Sequence, residues 1–521
     1  MKPLNLFLFA VLCCILVAIP LAFSYSNGVV DPFLHGIVSS AILYKDADHV
    51  QVDATQFSNV PGLGFLVILL SRLLGLDPET IEYLPIAGAG LAVACFLTSR
   101  RLSGSVFIGA AVTLAIMYRW LPPTLTTIWP HTFGFGLHLL FVTTYLKLQP
   151  KTQVKGLLVL WLLFVGMHLF SYTAEVWTIA FVAAITLLRF LRGNRDRPLT
   201  SSLLLALVAT FLGFTEIVYS AYLPRLDTAQ SEFQLGLGYL FSSIFRSPPP
   251  TPYAWVPPSQ SPVVLALQIS WYLLLFIPIF AILAFMAFRS RQGGIRKVSW
   301  PSFGAVFAGF IAAWTVDAAS YALLGAVSIG IFRYSSLGGA LLAPPSLSHI
   351  GKYRFRFRSP ASGLHAIAGF CSVLTVLSVL LFISAAQQSI FVTSTSKYQT
   401  AKPAGEWILF YSPTVNHILG DHITQGEFAL EAARLGSRFQ SNDLYNATTF
   451  AALIGATDYS VAESVFHDQF VAVNRDLAGY KTTAGGWFDF EPLQAHLREI
   501  EENQELNLIY DDGSIWVLAG R

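Results

Sequence analysis

The sequence predicts a polytopic α-helical membrane protein of about eleven spans followed by an extracytoplasmic α/β domain. Three observations predict it. First, 54% of the 521 residues are hydrophobic and 12% are charged, where a soluble domain carries about 25% charge; the mean hydropathy is +0.58. Second, apolar stretches long enough to cross a hydrocarbon core recur along the chain. Third, charge density changes near residue 386: residues 1–386 hold 24 Lys/Arg and 13 Asp/Glu, whereas residues 387–521 hold 8 and 17. The domains expected are therefore 1–386 in the membrane and 387–521 outside it.

The formal net charge of +2 leaves no basic excess for a nucleic-acid partner. Cys13, Cys14, Cys95 and Cys371 all lie inside apolar runs, so neither a disulfide framework nor a zinc spacing is available.

Taken in order, the spans read 4–23, 81–98, 104–120, 131–148, 156–171, 174–191, 201–222, 263–288, 302–323, 334–351 and 364–386. Many spans follow the first, so it reads as an uncleaved signal anchor, with a cleavable signal peptide as the alternative. Pro344 and Pro345 are expected to interrupt the helix over 334–351. The run Pro61–Leu76 is barely long enough to span and carries Arg72.

Charge asymmetry decides that run. If it lies on the outer surface, eighteen Lys/Arg collect in inner loops and six in the outer loops of the membrane domain, which is the positive-inside pattern. An odd span number then puts the N-terminus in the cytoplasm and the C-terminal domain outside. Of the 13 acids of the membrane domain only Asp196 is on the inner side, while Glu175, Glu216 and Asp317 fall in the outer third of their spans. Ionisable groups at similar depth are expected to face one cavity open to the outside. The bland alternative is carboxylates reaching for headgroup water.

The first outer loop, 24–60, is where chemistry is expected. Asp31 precedes Pro32 and caps a helix starting there. It also sits one helical turn before His35, an acid and imidazole pair suited to moving a proton or binding a divalent ion. Both readings stand on the residues alone. Asp46, Asp48 and Asp53 read as solvated loop acids. His168, Tyr172 and Glu175 line an outer hairpin as sugar-facing or interfacial belt residues.

These elements resemble the GT-C superfamily of membrane glycosyltransferases, and within it the polyprenyl-phosphate-sugar transferases of mannosyltransferase type. The resemblance rests on the outer-loop Asp31 with His35, the Pro-initiated segment ending in Gly-Leu-Asp-Pro at 75–78, the span closed by Arg100-Arg101-Leu-Ser-Gly, and an external α/β domain after the last span. It implies a sugar donor on a polyprenyl phosphate in the membrane lipid, with the acceptor entering from outside. It also implies that Asp31 is a general base or helps hold a divalent cation (Mg or Mn), and that Arg333, in Ile-Phe-Arg-Tyr334, faces the lipid phosphate. A guanidinium suits that role by its paired hydrogen bonds; the alternative is an interfacial Arg reaching for headgroups. Glu175 and His35 are the expected catalytic helpers. Tyr334, His168, Tyr172, Glu216 and Asp317 complete the substrate-binding set. Adjacent acids are missing because Pro32 follows Asp31, and the segment Trp487-Phe-Asp-Phe-Glu491 reads as strand or turn.

The C-terminal domain alternates short apolar runs (Trp407–Tyr411, Phe470–Val473, Leu506–Tyr510, Ile515–Leu518) with helical stretches at Glu427–Leu435 and Pro492–Glu502. Tyr510-Asp-Asp-Gly513 reads as a hairpin turn. Against the glycosyltransferase stand a transporter or flippase, which would place polar groups near the bilayer midplane and repeat its spans, and a non-catalytic scaffold. The sequence shows neither transporter feature. It does not name a protein partner.

Overall fold

The structure is a computed structural model that describes residues 61–119, 130–146, 153–191, 197–219, 263–280, 300–324, 330–352, 369–380, 401–411, 418–420, 428, 470–475, 481–482, 488–489 and 506–520, apart from single positions within these ranges. The first span and the whole first outer loop lie outside the described residues. So do the helical stretches expected at Glu427–Leu435, save Phe428, and at Pro492–Glu502.

Two compact units divide the chain, one holding residues 85–247 and 260–385 and the other 22–84, 248–259 and 386–521. The described helices of the first unit are α3 (Ile86–Ser103), α4 (Val106–Arg119), α5 (Pro130–Leu146), α6 (Gln153–Phe170), α7 (Tyr172–Leu191), α8 (Arg197–Tyr219), α9 (Trp300–Leu324) and α10 (Gly330–Lys352). Helical residues recur within 263–280 and 369–380, so each apolar run from 81 onward contains helix among its described residues. Among the described residues no helix is long and apolar enough to cross a membrane.

Small residues set the packing. Helix α3 carries the run Ile-Ala-Gly-Ala-Gly-Leu-Ala-Val-Ala-Cys, which lets α5 approach until a Cβ on Gly136 would lie 3.6 Å from the Ala94 Cβ and the Leu91 Cα. Helix α7 packs most extensively on α9, where a Cβ on Gly309 would come within 2.6 Å of the Phe181 ring. The core of this unit is aromatic at its centre, with Phe135, Phe141, Phe164, Trp177, Phe181 and Tyr334 fully buried. Gly104 ends α3 with φ at +71°, its N–H donating to the Arg100 carbonyl at 2.8 Å, as expected of a glycine C-cap.

One expectation is corrected here. Helix α10 runs unbroken through Pro344 and Pro345. Each proline deprives the carbonyl four residues earlier of its N–H partner. The carbonyl freed by Pro344 is that of Ala340, and Ser99 Oγ of α3 donates to it at 3.4 Å. A neighbouring helix thus supplies what the proline removes.

In the second unit, α1 (Pro61–Leu74) and α2 (Pro78–Glu82) precede α11 (Ala401–Tyr411). The 14 residues of α1 rise about 21 Å, and Gly75 at φ +65° closes it by donating to the Ser71 carbonyl at 2.9 Å. A four-stranded sheet has the order β1-β2-β6-β5, built from β1 (Ile418–Gly420), β2 (Phe470–Asn474), β5 (Leu506–Asp511) and β6 (Ile515–Gly520). Strand β1 runs parallel to β2 and the other pairs are antiparallel. Strands β3 (Lys481–Thr482) and β4 (Phe488–Asp489) form a separate pair.

The expected terminal hairpin is present. Gly513 adopts φ +88°, Asp511 Oδ1 accepts from the Gly513 N–H at 2.7 Å, and Asp512 Oδ1 accepts from the Ile515 N–H at 2.7 Å. These aspartate turns set the register. The apolar run Trp407–Tyr411 is helical, the last turns of α11, because Ala404 and Ile408 fall four apart and bury one face with Val517 and Ile515 of β6.

Candidate active site

A tight helical hairpin builds the centre of the site. Helices α6 and α7 are separated only by Ser171, whose N–H donates to the Met167 carbonyl at 2.6 Å. The Ser171 hydroxyl accepts from the Ala174 N–H at 3.4 Å, capping α7. This reversal brings together His168, in the last turn of α6, and Glu175, in the first turn of α7. Their side chains meet at 2.8 Å, His168 Nδ1 to Glu175 Oε2. Both are buried, at 1% and 0% exposure. Among the described residues, Glu175 Oε1 accepts no hydrogen bond. In a low-dielectric setting an ionic or proton-sharing pair of this kind is strong only because the two groups meet directly.

One turn further along α7, Thr178 extends the polar line. Its hydroxyl donates to the Ala174 carbonyl at 2.8 Å and lies 2.8 Å from His138 Nδ1 on α5. His138 Nε2 in turn lies 3.4 Å from the Tyr334 hydroxyl on α10. Aromatic rings enclose this line: Tyr334 has its centroid 4.6 Å from Trp177 and 5.6 Å from Phe310, and His138 lies edge-on to Trp177, Phe181 and Tyr334.

Of the residues expected from sequence, the structure thus joins His168 to Glu175 directly. Tyr334 connects to the same helix through His138 and Thr178. Arg333 immediately precedes Tyr334 in α10, Tyr172 opens α7, Glu216 lies near the end of α8 and Asp317 lies in α9; their side chains lie outside what is described. Asp31 and His35 lie outside the described residues altogether. Sequence reasoning missed His138 and Thr178. The signal was present: His138 is an imidazole in the middle of the apolar run 131–148, and weighing only carboxylates as the ionisable groups of that run overlooks it.

Among the described residues no group of three or more His, Cys, Asp or Glu could hold a metal ion.

No family model matches the chain, and no curated protein matches it. Solved structures do. The crystal structure of ArnT from Cupriavidus metallidurans bound to undecaprenyl phosphate aligns with a TM-score of 0.44 at 12% identity, covering 100% of this chain and 98% of that one. The same protein in the apo state aligns with a TM-score of 0.37 at 12% identity, covering 99% and 97%.

Proposed function

We propose that the chain is an integral membrane glycosyltransferase of GT-C type that moves a sugar from a polyprenyl-phosphate donor to a lipid, glycan or protein acceptor at the outer face of the plasma membrane. The observation that carries this reading is the buried acid and imidazole pair, Glu175 with His168, joined by a hairpin whose helices expose apolar side chains. Carboxylates are costly in such surroundings and are kept for function.

Exposed apolar faces support membrane integration. Helix α6 presents Leu158, Val159, Trp161 and Leu162 outward, and α7 presents Leu187, Phe190 and Leu191, the last at 72% exposure. Contiguous apolar surface on this scale belongs in lipid.

The chemistry follows the residues that resemble the superfamily. Asp31 takes the proton of the acceptor hydroxyl, whose oxygen bonds the anomeric carbon of the donor sugar. The bond from that carbon to the phosphate oxygen breaks, and the polyprenyl phosphate leaves with the electron pair. Arg333 neutralises the charge that develops on the phosphate. Glu175 holds His168 in place. On this reading Asp31 would also hold a divalent cation (Mg or Mn).

The test is sugar transfer in membranes containing the full chain, from undecaprenyl-phosphate sugars, beside Asp31→Ala. Transfer by the wild type with a loss of about 100-fold or more in the variant, the scale of a general base, is the expected result. Undiminished transfer by Asp31→Ala removes Asp31 from the mechanism. Solute flux with no transfer by the wild type points to a transporter instead.

A further inference from the structure

We infer that His138 is a positioning residue that fixes Tyr334, and with it the turn of α10 carrying Arg333, against the helix that carries Glu175; the inference rests on the glycosyltransferase reading above and adds to it a residue outside the resemblance.

Hydrogen-bond bookkeeping defines the ring. Thr178 has one hydroxyl proton, and it goes to the Ala174 carbonyl at 2.8 Å, the usual back-bond of a helical threonine. Its other neighbour, Met167 Sδ at 3.3 Å, is a weak acceptor. The Thr178 oxygen is therefore an acceptor toward His138, and the proton on the 2.8 Å contact belongs to His138 Nδ1. A neutral imidazole with its proton on Nδ1 leaves Nε2 bare. That bare nitrogen faces the Tyr334 hydroxyl at 3.4 Å. His138 thus donates to α7 and accepts from α10, and both ends of the ring are committed.

Geometry gives the contact its consequence. Thr178 stands three residues after Glu175 on α7, and Tyr334 stands one residue after Arg333 on α10. The imidazole therefore ties the turn holding the carboxylate to the turn holding the guanidinium assigned to the lipid phosphate. Tyr334 cannot swing aside, since its ring is fully buried between Trp177 and Phe310. Its hydroxyl loses the contact that points it at α5 if His138 Nε2 is removed. A purely apolar residue at 138 would fill the space and leave both Thr178 and Tyr334 without this partner, which is costly in a dry core.

The experiment uses the purified full-length chain in lipid nanodiscs and undecaprenyl phosphate as the probe. Binding is measured for wild type, His138→Phe, Tyr334→Phe and the double variant, with Thr98→Val as a buried polar change elsewhere in the unit. His138→Phe and Tyr334→Phe are each expected to weaken lipid binding about tenfold, the double variant no more than either, and Thr98→Val less than twofold. His138→Gln, whose side-chain carbonyl replaces Nε2 as the acceptor for Tyr334, is expected to recover binding to within about threefold of wild type. In transfer assays the donor KM rises with kcat nearly unchanged. Unaltered binding in His138→Phe, additive losses in the double variant, or an equal loss in Thr98→Val overturns the inference. Coupled loss of lipid binding with no sugar transfer by the wild type keeps the positioning role and overturns the proposed function. A wild type that binds no undecaprenyl phosphate overturns both.

Discussion

Glu175 has one oxygen committed to His168 at 2.8 Å and the other without a hydrogen bond among the described residues. That asymmetry separates two substitutions. Glu175→Gln keeps an oxygen or an amide against His168 Nδ1 and removes only the charge. Glu175→Leu removes this partner from the buried His168 Nδ1. Breaking a buried pair from one side costs about 3 kcal/mol or more, because the remaining group stays desolvated. Glu175→Leu is therefore expected to lower the unfolding temperature in detergent by several degrees and to abolish transfer. Glu175→Gln should fold with nearly wild-type stability and lose transfer by about 10-fold to 100-fold if the carboxylate charge acts in the reaction. Parallel thermal-unfolding curves and transfer rates check both. Equal stability of the Leu and Gln variants would show that the pair contributes nothing to the fold.

At the scale of elements, α10 shows how a helix survives two consecutive prolines. The carbonyl of Ala340 loses its N–H donor to Pro344 and gains the Ser99 hydroxyl at 3.4 Å, while Ser346 back-bonds to the Leu342 carbonyl at 2.8 Å. Helix α3 also carries Thr98, which donates to the Leu139 carbonyl of α5 at 3.3 Å and accepts from Thr143 of α5 at 2.8 Å. Hydroxyls on α3 thus face the backbone of both its neighbours. Ser99→Ala should cost about 1 kcal/mol by leaving the Ala340 carbonyl unpaired. Restoring the N–H with Pro344→Ala should make Ser99 dispensable, so the two changes together should cost less than their sum. A double-mutant cycle on unfolding in detergent measures this coupling; strict additivity would mean that the serine and the proline are unrelated. From sequence, the two prolines read as a break because the compensating hydroxyl lies more than two hundred residues away. The end of α11 misled for a related reason: five consecutive apolar or aromatic residues carry no period of their own, and only the preceding Ala404 reveals the helical face.

For the whole molecule, what was legible depends on which physical signal each feature leaves in the chain. Hydropathy marks helices by sum rather than by pattern, which made the apolar runs from 81 onward readable, and the turn chemistry of Asp511-Asp512-Gly513 made the terminal hairpin readable. The site was readable where scarcity made a charge conspicuous, as at Glu175, and unreadable where uncharged groups do the work, as at Thr178 and His138. Side chains on α6, α7 and α8 are apolar both toward the core, where Trp177, Phe181 and Leu207 are buried, and away from it, where Leu162, Leu191 and Leu205 are exposed, Leu205 at 71%. A helix apolar on all sides sits either in a large protein core or in lipid, and on the proposed membrane reading the basic residues flanking it set its direction. Lys151 and Lys155 precede α6 or open it, and the acid-bearing hairpin at Ser171 closes it. The α6 entrance is therefore expected on the cytoplasmic side and the C-terminal domain outside. With Cys13, Cys14, Cys95 and Cys371 replaced by serine, a single cysteine at Lys151 should resist a membrane-impermeant maleimide in intact cells, while one at Ser441 should react. Both should react after permeabilisation, and the protein should stay in the membrane fraction through an alkaline carbonate wash. Labelling of the two positions in the opposite order would invert the topology and place Glu175 and Arg333 on the wrong side for an acceptor arriving from outside. Release by carbonate would instead show that the chain is not embedded in lipid and would overturn the lipid-linked donor.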